Sequence, residues 1–331
     1  MKSGIKHGML LGRERAMKIS SNEGRAAKIR FVTFRKNGLI IDENPFFAEL
    51  IQGVEMQARE YGYETTFIYL NYESQEFYGQ LAGVLEDVSS FLVLLGTEMM
   101  EEDFLLFQGF KGDMVLVDCW SDTVTFDAVL INNTDSAYHA VRYLIDRGHK
   151  VIGYLRGCYR IKAFEYREYG YCRALKEAGL KEHPEYEITL GTQLKTAYEG
   201  MMEYLESHEK ELPDGFFADN DLIAMGAIRA LQEKGYKIPE DVSVVGFDDV
   251  KFGVVSNPGL TTVHVFKEEM ARMAVRRVLD KARHPAGGIM TKIQVETRFE
   301  ERESVADKNR ISHDLLQTEL YKHSYEKNNN G

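Results

Sequence analysis

Apolar positions along the chain follow two periods that succeed one another with regularity. Ile29-Arg30-Phe31-Val32-Thr33-Phe34 is a β-rich run. The stretch from Pro45 then places Phe47, Leu50, Ile51, Val54, Ala58 and Tyr61 on one helical face before Gly62 stops it. Thr65 to Leu70 is β-rich again. Phe91–Leu95 and Met114–Val117 are apolar at every position, as strands buried on both faces of a parallel sheet must be. Ala137, Ala140, Val141, Leu144 and Ile145 mark a helix ending at Gly148, followed by a strand from Lys150 to Leu155. A helix with Tyr171, Ala174, Leu175 and Ala178 on one face ends at Gly179. Glu187–Leu190, Phe216-Phe217 and Val242–Val245 continue the strands, with helices from about Lys195 and Asp221. The second of these closes at Gly235, where glycine can take the left-handed conformation that ends a helix.

Such alternation predicts an α/β fold of parallel sheets with helices on both faces. There are too many βα units for one comfortable sheet in 331 residues. The expected fold class is therefore two doubly wound parallel-sheet lobes with a hinge and an interlobe cleft. Ligands in these sheets bind beyond the carboxyl ends of the strands, so the residues just after each strand are the candidates for function.

Composition narrows the class. Hydrophobic residues at 44% and charged residues at 28% are globular values. A net charge of −11 sets the body of the protein against nucleic acid and anionic membranes. Residues 1–28 run the other way, with seven basic side chains against Glu14 and Glu23. No apolar run is long enough for a signal-peptide core or a membrane span, which predicts a cytoplasmic chain. Cys119, Cys158 and Cys172 form no C-x-x-C pair and fit no zinc spacing. They read as small buried hydrophobes in a reducing compartment. Neither a Walker loop, nor G-x-G-x-x-G, nor G-x-S-x-G, nor H-E-x-x-H occurs, so no cofactor, metal or catalytic set is expected.

Several residues fall at the predicted strand ends. Phe46 and Phe47, at the start of a helix, offer either an apolar face to a sugar ring or two core side chains. Asp118 directly follows Met114–Val117, with Trp120 close behind, and its carboxylate suits neighbouring hydroxyls or plain solvent. Of Asn220 and Asp221, one suffices to cap the helix that follows, which leaves the other to face a ligand. Gly246-Phe247-Asp248-Asp249 puts a carboxylate pair just past a buried strand. Arg167 supplies a planar guanidinium for ring oxygens, a carboxylate or a surface ion pair.

Together these residues resemble the effector-binding region of the LacI/GalR family of bacterial transcription regulators, whose fold is that of periplasmic sugar-binding proteins (type I). The resemblance runs from about Ile29 to Ser304. It rests on the order of Asn44-Pro45-Phe46-Phe47, Asn132-Asn133, Arg147-Gly148-His149, Arg167-Glu168-Tyr169-Gly170-Tyr171 and Asn220-Asp221, then Ile238 to Asp249, Pro258 to Val263 and Arg302-Glu303-Ser304. It implies that Phe46, Phe47, Asp118, Arg167, Asn220 and Asp248 line a cleft for a small sugar-like effector, and Trp120 joins that candidate set. It also implies a homodimer and DNA as a partner; the lack of a spanning apolar run predicts no membrane partner. The lobes would comprise residues 29–131 with 264–286, and 132–263 with 287–304, flanked by a flexible basic leader (1–28) and a polar tail (305–331). Three departures stand out: Cys119 where an arginine is common, Val265 where a polar residue is common, and a longer loop from Arg35 to Glu43. Residues 1–28 show no helix-turn-helix pattern.

Overall fold

The computed structural model describes residues 28–207, 211–283 and 289–309. The basic leader, apart from Lys28, and the tail beyond residue 309 lie outside the described residues. Two compact units divide the chain. The first holds the chain up to Asn132, Tyr159–Glu165 and Val265–Thr297. The second holds Asn133–Cys158, Tyr166–His264 and the chain from Arg298.

The first unit is built on a six-stranded sheet, all of it parallel. It contains β1 (Lys28–Arg35), β2 (Glu64–Asn71), β3 (Phe91–Leu95), β4 (Met114–Val117), β5 (Asp127–Ile131) and β11 (Lys292–Val295), in the order β11-β5-β4-β3-β1-β2. Strand alternation splits the side chains between two covered faces. Val32, Phe34, Leu92, Leu94, Leu116 and Leu130 pack under Phe77, Leu81 and Val84 of α2 (Phe77–Glu86) and Phe104 and Phe107 of a 3₁₀ helix. The opposite face is covered by α1 (Pro45–Glu60) and α7 (Lys267–Arg283), which also pack on each other.

The second unit has a four-stranded parallel sheet, order β7-β6-β8-β9: β6 (Ile152–Gly157), β7 (Glu187–Leu190), β8 (Gly215–Ala218) and β9 (Ser243–Val245). Leu155, Ile188, Phe216 and Val244 face α5 (Leu194–Ser207) and α6 (Asp221–Glu233). On the other face Tyr154 stacks on Tyr171 of α4 (Lys162–Glu177) at 5.0 Å and on Phe217 at 5.9 Å. The Tyr171 hydroxyl donates to Ile152 O at 2.7 Å. Helix α3 (Asn133–Asp146) completes the unit, and β10 (Thr262–Val265) pairs with β12 (Thr297–Glu300) in a separate two-stranded sheet. The stops predicted at Gly62, Gly148, Gly179 and Gly235 all have left-handed φ.

Three assignments differ from the sequence pattern. Residues 287–304 are expected in the second lobe; residues 298–304 do lie in the second unit, but the stretch before them up to Thr297 belongs to the first, where β11 pairs with β5. Fully buried Asp127 draws it there by accepting from the Thr291 N–H (2.9 Å), Lys281 (2.9 Å) and Arg277 (2.7 Å). Residues 159–165 belong to the first unit because Lys162 pairs with Glu101 (2.9 Å) and Asp122 (2.7 Å). The tail does not begin at 305. Ala306 N–H donates to Ser243 Oγ at 3.0 Å, and Lys308 N–H to Arg147 O at 2.9 Å. Long-range ion pairs and hydrogen bonds of this kind leave no periodicity for sequence to reveal. Of the cysteines only Cys119 is buried, and Cys158 is exposed, contrary to the expected burial of all three. No helix among the described residues is long and apolar enough to cross a membrane.

Candidate effector-binding site

In the second unit the carboxyl ends of β6, β8 and β9 converge on a buried polar cluster. Arg167, on α4, is 3% exposed. Its Nε donates to Asn133 Oδ1 at 2.9 Å and its Nη1 to the Asp219 carbonyl at 2.5 Å. Its Nη2 lies 3.3 Å from Asp248 Oδ1. The guanidinium also lies over the Phe247 ring, 3.7 Å from its centroid. Asp219, immediately after β8, went unnoticed in the sequence because a lone acid after an apolar pair carries no pattern. It is fully buried and accepts from the Tyr154 hydroxyl and from Gly157 N–H at 2.8 Å.

Asn220 and Asp221 divide their work differently from the sequence expectation. Asn220 is the cap of α6, its Oδ1 accepting from Ile223 N–H at 2.9 Å. Asp221 is not left to face a ligand. It is fully buried and accepts from Val250 N–H (2.8 Å) and Thr262 Oγ1 (2.5 Å). Its carboxylate occupies the space beside Gly246, where a Cβ would lie 2.2 Å from Oδ1, so only glycine fits. Burial, reinforced by the charge of Asp248, pushes the Asp221 carboxyl up to about 8 against the opposing hydrogen bonds. The polar group of the pair that remains is Nδ2 of Asn220, which has no acceptor among the described residues.

Asp248 and Asp249 both have positive φ, 111° and 52°, a turn that L-residues rarely adopt. It is held from several sides. Asp248 N–H donates to Val263 O at 3.0 Å, Val250 N–H is tied to Asp221, and Asp249 is bracketed by His264 (2.8 Å) and Arg302 (2.6 Å). Burial opposes ionisation of Asp249, but these two partners outweigh it and hold its carboxyl at about 2. The turn aims Asp248 back toward Arg167.

In the first unit, Asp118 follows β4 with φ 58°. It is 8% exposed and accepts from Thr97 Oγ1 at 2.7 Å. Cys119 is buried, and burial together with the Asp118 charge pushes its thiol well above the ordinary range, so it is an inert filler. Trp120 is buried, with Lys162 Nζ 5.4 Å from its ring centroid. Asn44 caps α1 by accepting from Phe46 N–H at 3.1 Å. Phe46 and Phe47 are both buried and meet edge to face at 5.0 Å, with Lys267 Nζ 5.5 Å from the Phe46 ring centroid. Within the second unit, then, Arg167, Asn220 and Asp248 gather at one sheet edge. Within the first, Asp118 and Trp120 share one strand end, while Phe46 and Phe47 sit at the start of α1.

Two α/β units, each on a parallel sheet with polar side chains at its strand ends, fit the plan of periplasmic binding proteins. A family model for a periplasmic binding protein-like domain matches residues 141–305. The transcriptional repressor PurR of Proteus mirabilis is 32% identical over 269 residues, covering 80% of this chain and 77% of that protein. PurR of Photorhabdus laumondii is 31% identical with the same coverage. Among solved structures, the transcriptional regulator CelR in complex with cellobiose superposes with a TM-score of 0.75 at 24% identity, over 88% of this chain and 89% of the other. A LacI-family regulator of Enterococcus faecium with bound ribose gives 0.70 at 22% identity, over 84% and 99%. The chain belongs to the LacI/GalR family of transcriptional regulators and contains its effector-binding region.

Proposed function

We propose that this chain is the sensor of a cytoplasmic, homodimeric transcription regulator, and that its effector is a small, uncharged, sugar-like molecule engaged by the candidate residues described above. The observation that carries the reading is the state of Arg167. Its charge is already met by Asp248 inside a buried cluster that also holds the Asp219 carboxylate. A phosphate or carboxylate would gain no unmatched cation there and would meet repulsion from Asp219 and Asp248. Neutral hydroxyls suit the same groups. In the second unit Asp248 accepts from them while Arg167 and Nδ2 of Asn220 donate; in the first, Asp118 accepts, and Trp120, Phe46 and Phe47 supply apolar surface for a ring. The homodimer is supported by edge strand β2, which leaves Phe67 and Tyr69 exposed near exposed Tyr72 and Tyr78. DNA binding follows from the family, with the basic segment 1–28 as a source of phosphate contacts.

Thermal unfolding in the presence of neutral mono- and disaccharides, ribose and cellobiose among them, tests the ligand class against their phosphorylated forms. At a hundredfold excess over Kd a specific sugar stabilises the chain by about 2.7 kcal/mol and raises the melting temperature by several degrees. A shift produced only by phosphorylated sugars would refute the uncharged-effector reading.

A further inference from the structure

Strand β3 ends at Leu95, and three residues later Glu98 turns into the protein with a side chain that is fully buried. A buried carboxylate must be matched, and among the described residues the hydrogen bonds it accepts come from the peptide groups of a single loop. Oε2 accepts from the N–H of Lys36 (2.9 Å), Asn37 (3.2 Å) and Gly38 (2.9 Å). Oε1 accepts from Ile40 (2.8 Å) and Ile41 (3.1 Å). These five donors lie within six consecutive residues, in the loop between β1 and α1. The loop belongs to neither a strand nor a helix and takes its shape around the carboxylate. Its flanks are fixed separately: Lys36 Nζ pairs with Asp103 at 2.6 Å, and Arg35 with Asp42 at 2.6 Å. Three residues beyond Ile41 stands Asn44, the cap that starts the helix carrying Phe46 and Phe47.

We infer that Glu98 is a positioning residue for effector binding. Its carboxylate gathers the 36–41 loop into a closed nest and so fixes the entry to α1 on which Phe46 and Phe47 stand. Converging backbone N–H dipoles of this kind form an anion-binding concavity, and the anion here is the protein's own. Without it the five donors repel one another and the loop opens, while β1, β3 and the two covered faces of the sheet keep their packing. The effect of removing Glu98 is therefore local. This inference rests on the effector reading above only for its consequence in binding; the shaping of the loop stands apart from it.

Chemical rescue separates the two. In the full chain carrying Glu98→Ala, hydrogen exchange of the 36–41 amides, read by mass spectrometry, should speed up at least tenfold. Sodium acetate, whose carboxylate fits the vacated nest, should restore protection, whereas sodium chloride at equal ionic strength should not. Glu98→Gln turns an NH2 group toward donors and fills the nest, so it should exchange fast and resist rescue. Neutral sugars that stabilise the wild type should lose at least tenfold in affinity for Glu98→Ala and regain it in acetate. Unchanged exchange in both variants, or recovery in chloride equal to that in acetate, would overturn the role of Glu98 in the loop. Fast exchange with sugar affinity unchanged would overturn the link to the effector. A wild-type chain that binds no sugar fails the proposed function instead, and the exchange experiment still decides the loop.

Discussion

Replacing Asp248 by asparagine is expected to weaken effector binding more than about tenfold and to lower stability by about 2–4 kcal/mol. The substitution keeps size and an acceptor but removes the counter-ion of Arg167, which is 3% exposed and lies 3.3 Å away. Truncating one partner of a buried pair typically costs about 3–5 kcal/mol. The cost is moderated because the guanidinium retains Asn133, the Asp219 carbonyl and the face of Phe247. Arg167→Ala is the harsher change, since it leaves the Asp248 carboxylate buried and takes a donor from Asn133 and Asp219 together. Urea denaturation gives the stability cost, and calorimetric titration with a stabilising sugar gives the loss in binding. Affinity within twofold of wild type for Asp248→Asn would remove Asp248 from the site.

Asp221 gives the second large effect, through pH. Its carboxyl is held at about 8 in the folded chain against 3.8 for an unperturbed aspartate. Between those values the folded state carries a proton that the unfolded state lacks, so protonation favours folding. The contribution is fully present below 3.8 and is lost as pH rises through 8, with a slope of up to about 1.4 kcal/mol per pH unit. Asp221→Asn mimics the protonated acid: its carbonyl accepts from Val250 N–H and its amide donates to Thr262. The stability of Asp221→Asn relative to wild type should therefore climb steadily from pH 5 to pH 8. Denaturant titrations at pH 5, 6.5 and 8 measure it. A difference independent of pH would mean that Asp221 is ionised throughout, and that the turn beside it is held without the proton.

How legible all this was in the sequence varies by residue. Strands such as Phe91–Leu95 and Met114–Val117 were legible to the residue because burial on both faces demands an unbroken apolar run. Strand β5 has nearly the same signature in Ala128–Ile131 but opens on Asp127, whose burial is made tolerable only by Arg277, Lys281 and Thr291 from far along the chain. The same limit governs the candidate site. Asn220 and Asp248 were legible as polar residues after a strand, and Arg167 as a guanidinium on a helix beside Gly170-Tyr171. Which atoms serve the fold was not legible: Asn220 spends its carbonyl on a cap, Asp221 its carboxyl on Val250 and Thr262. Asp219 and Glu98 were missed because a single acid after an apolar run looks like any loop residue, and their partners are backbone groups or distant side chains. Local pattern reports periodicity. Long-range hydrogen bonding does not leave one.

Binding of a small neutral effector at Asp118 and Asp248 should be readable directly through Trp120. It is the chain's only tryptophan and lies two residues beyond Asp118. Titration of neutral sugars against its fluorescence in wild type, Asp118→Asn and Asp248→Asn should give a saturable change for at least one sugar in the wild type, weakened more than tenfold in each variant. A response of equal affinity in all three proteins, or one elicited only by sugar phosphates, would contradict the account.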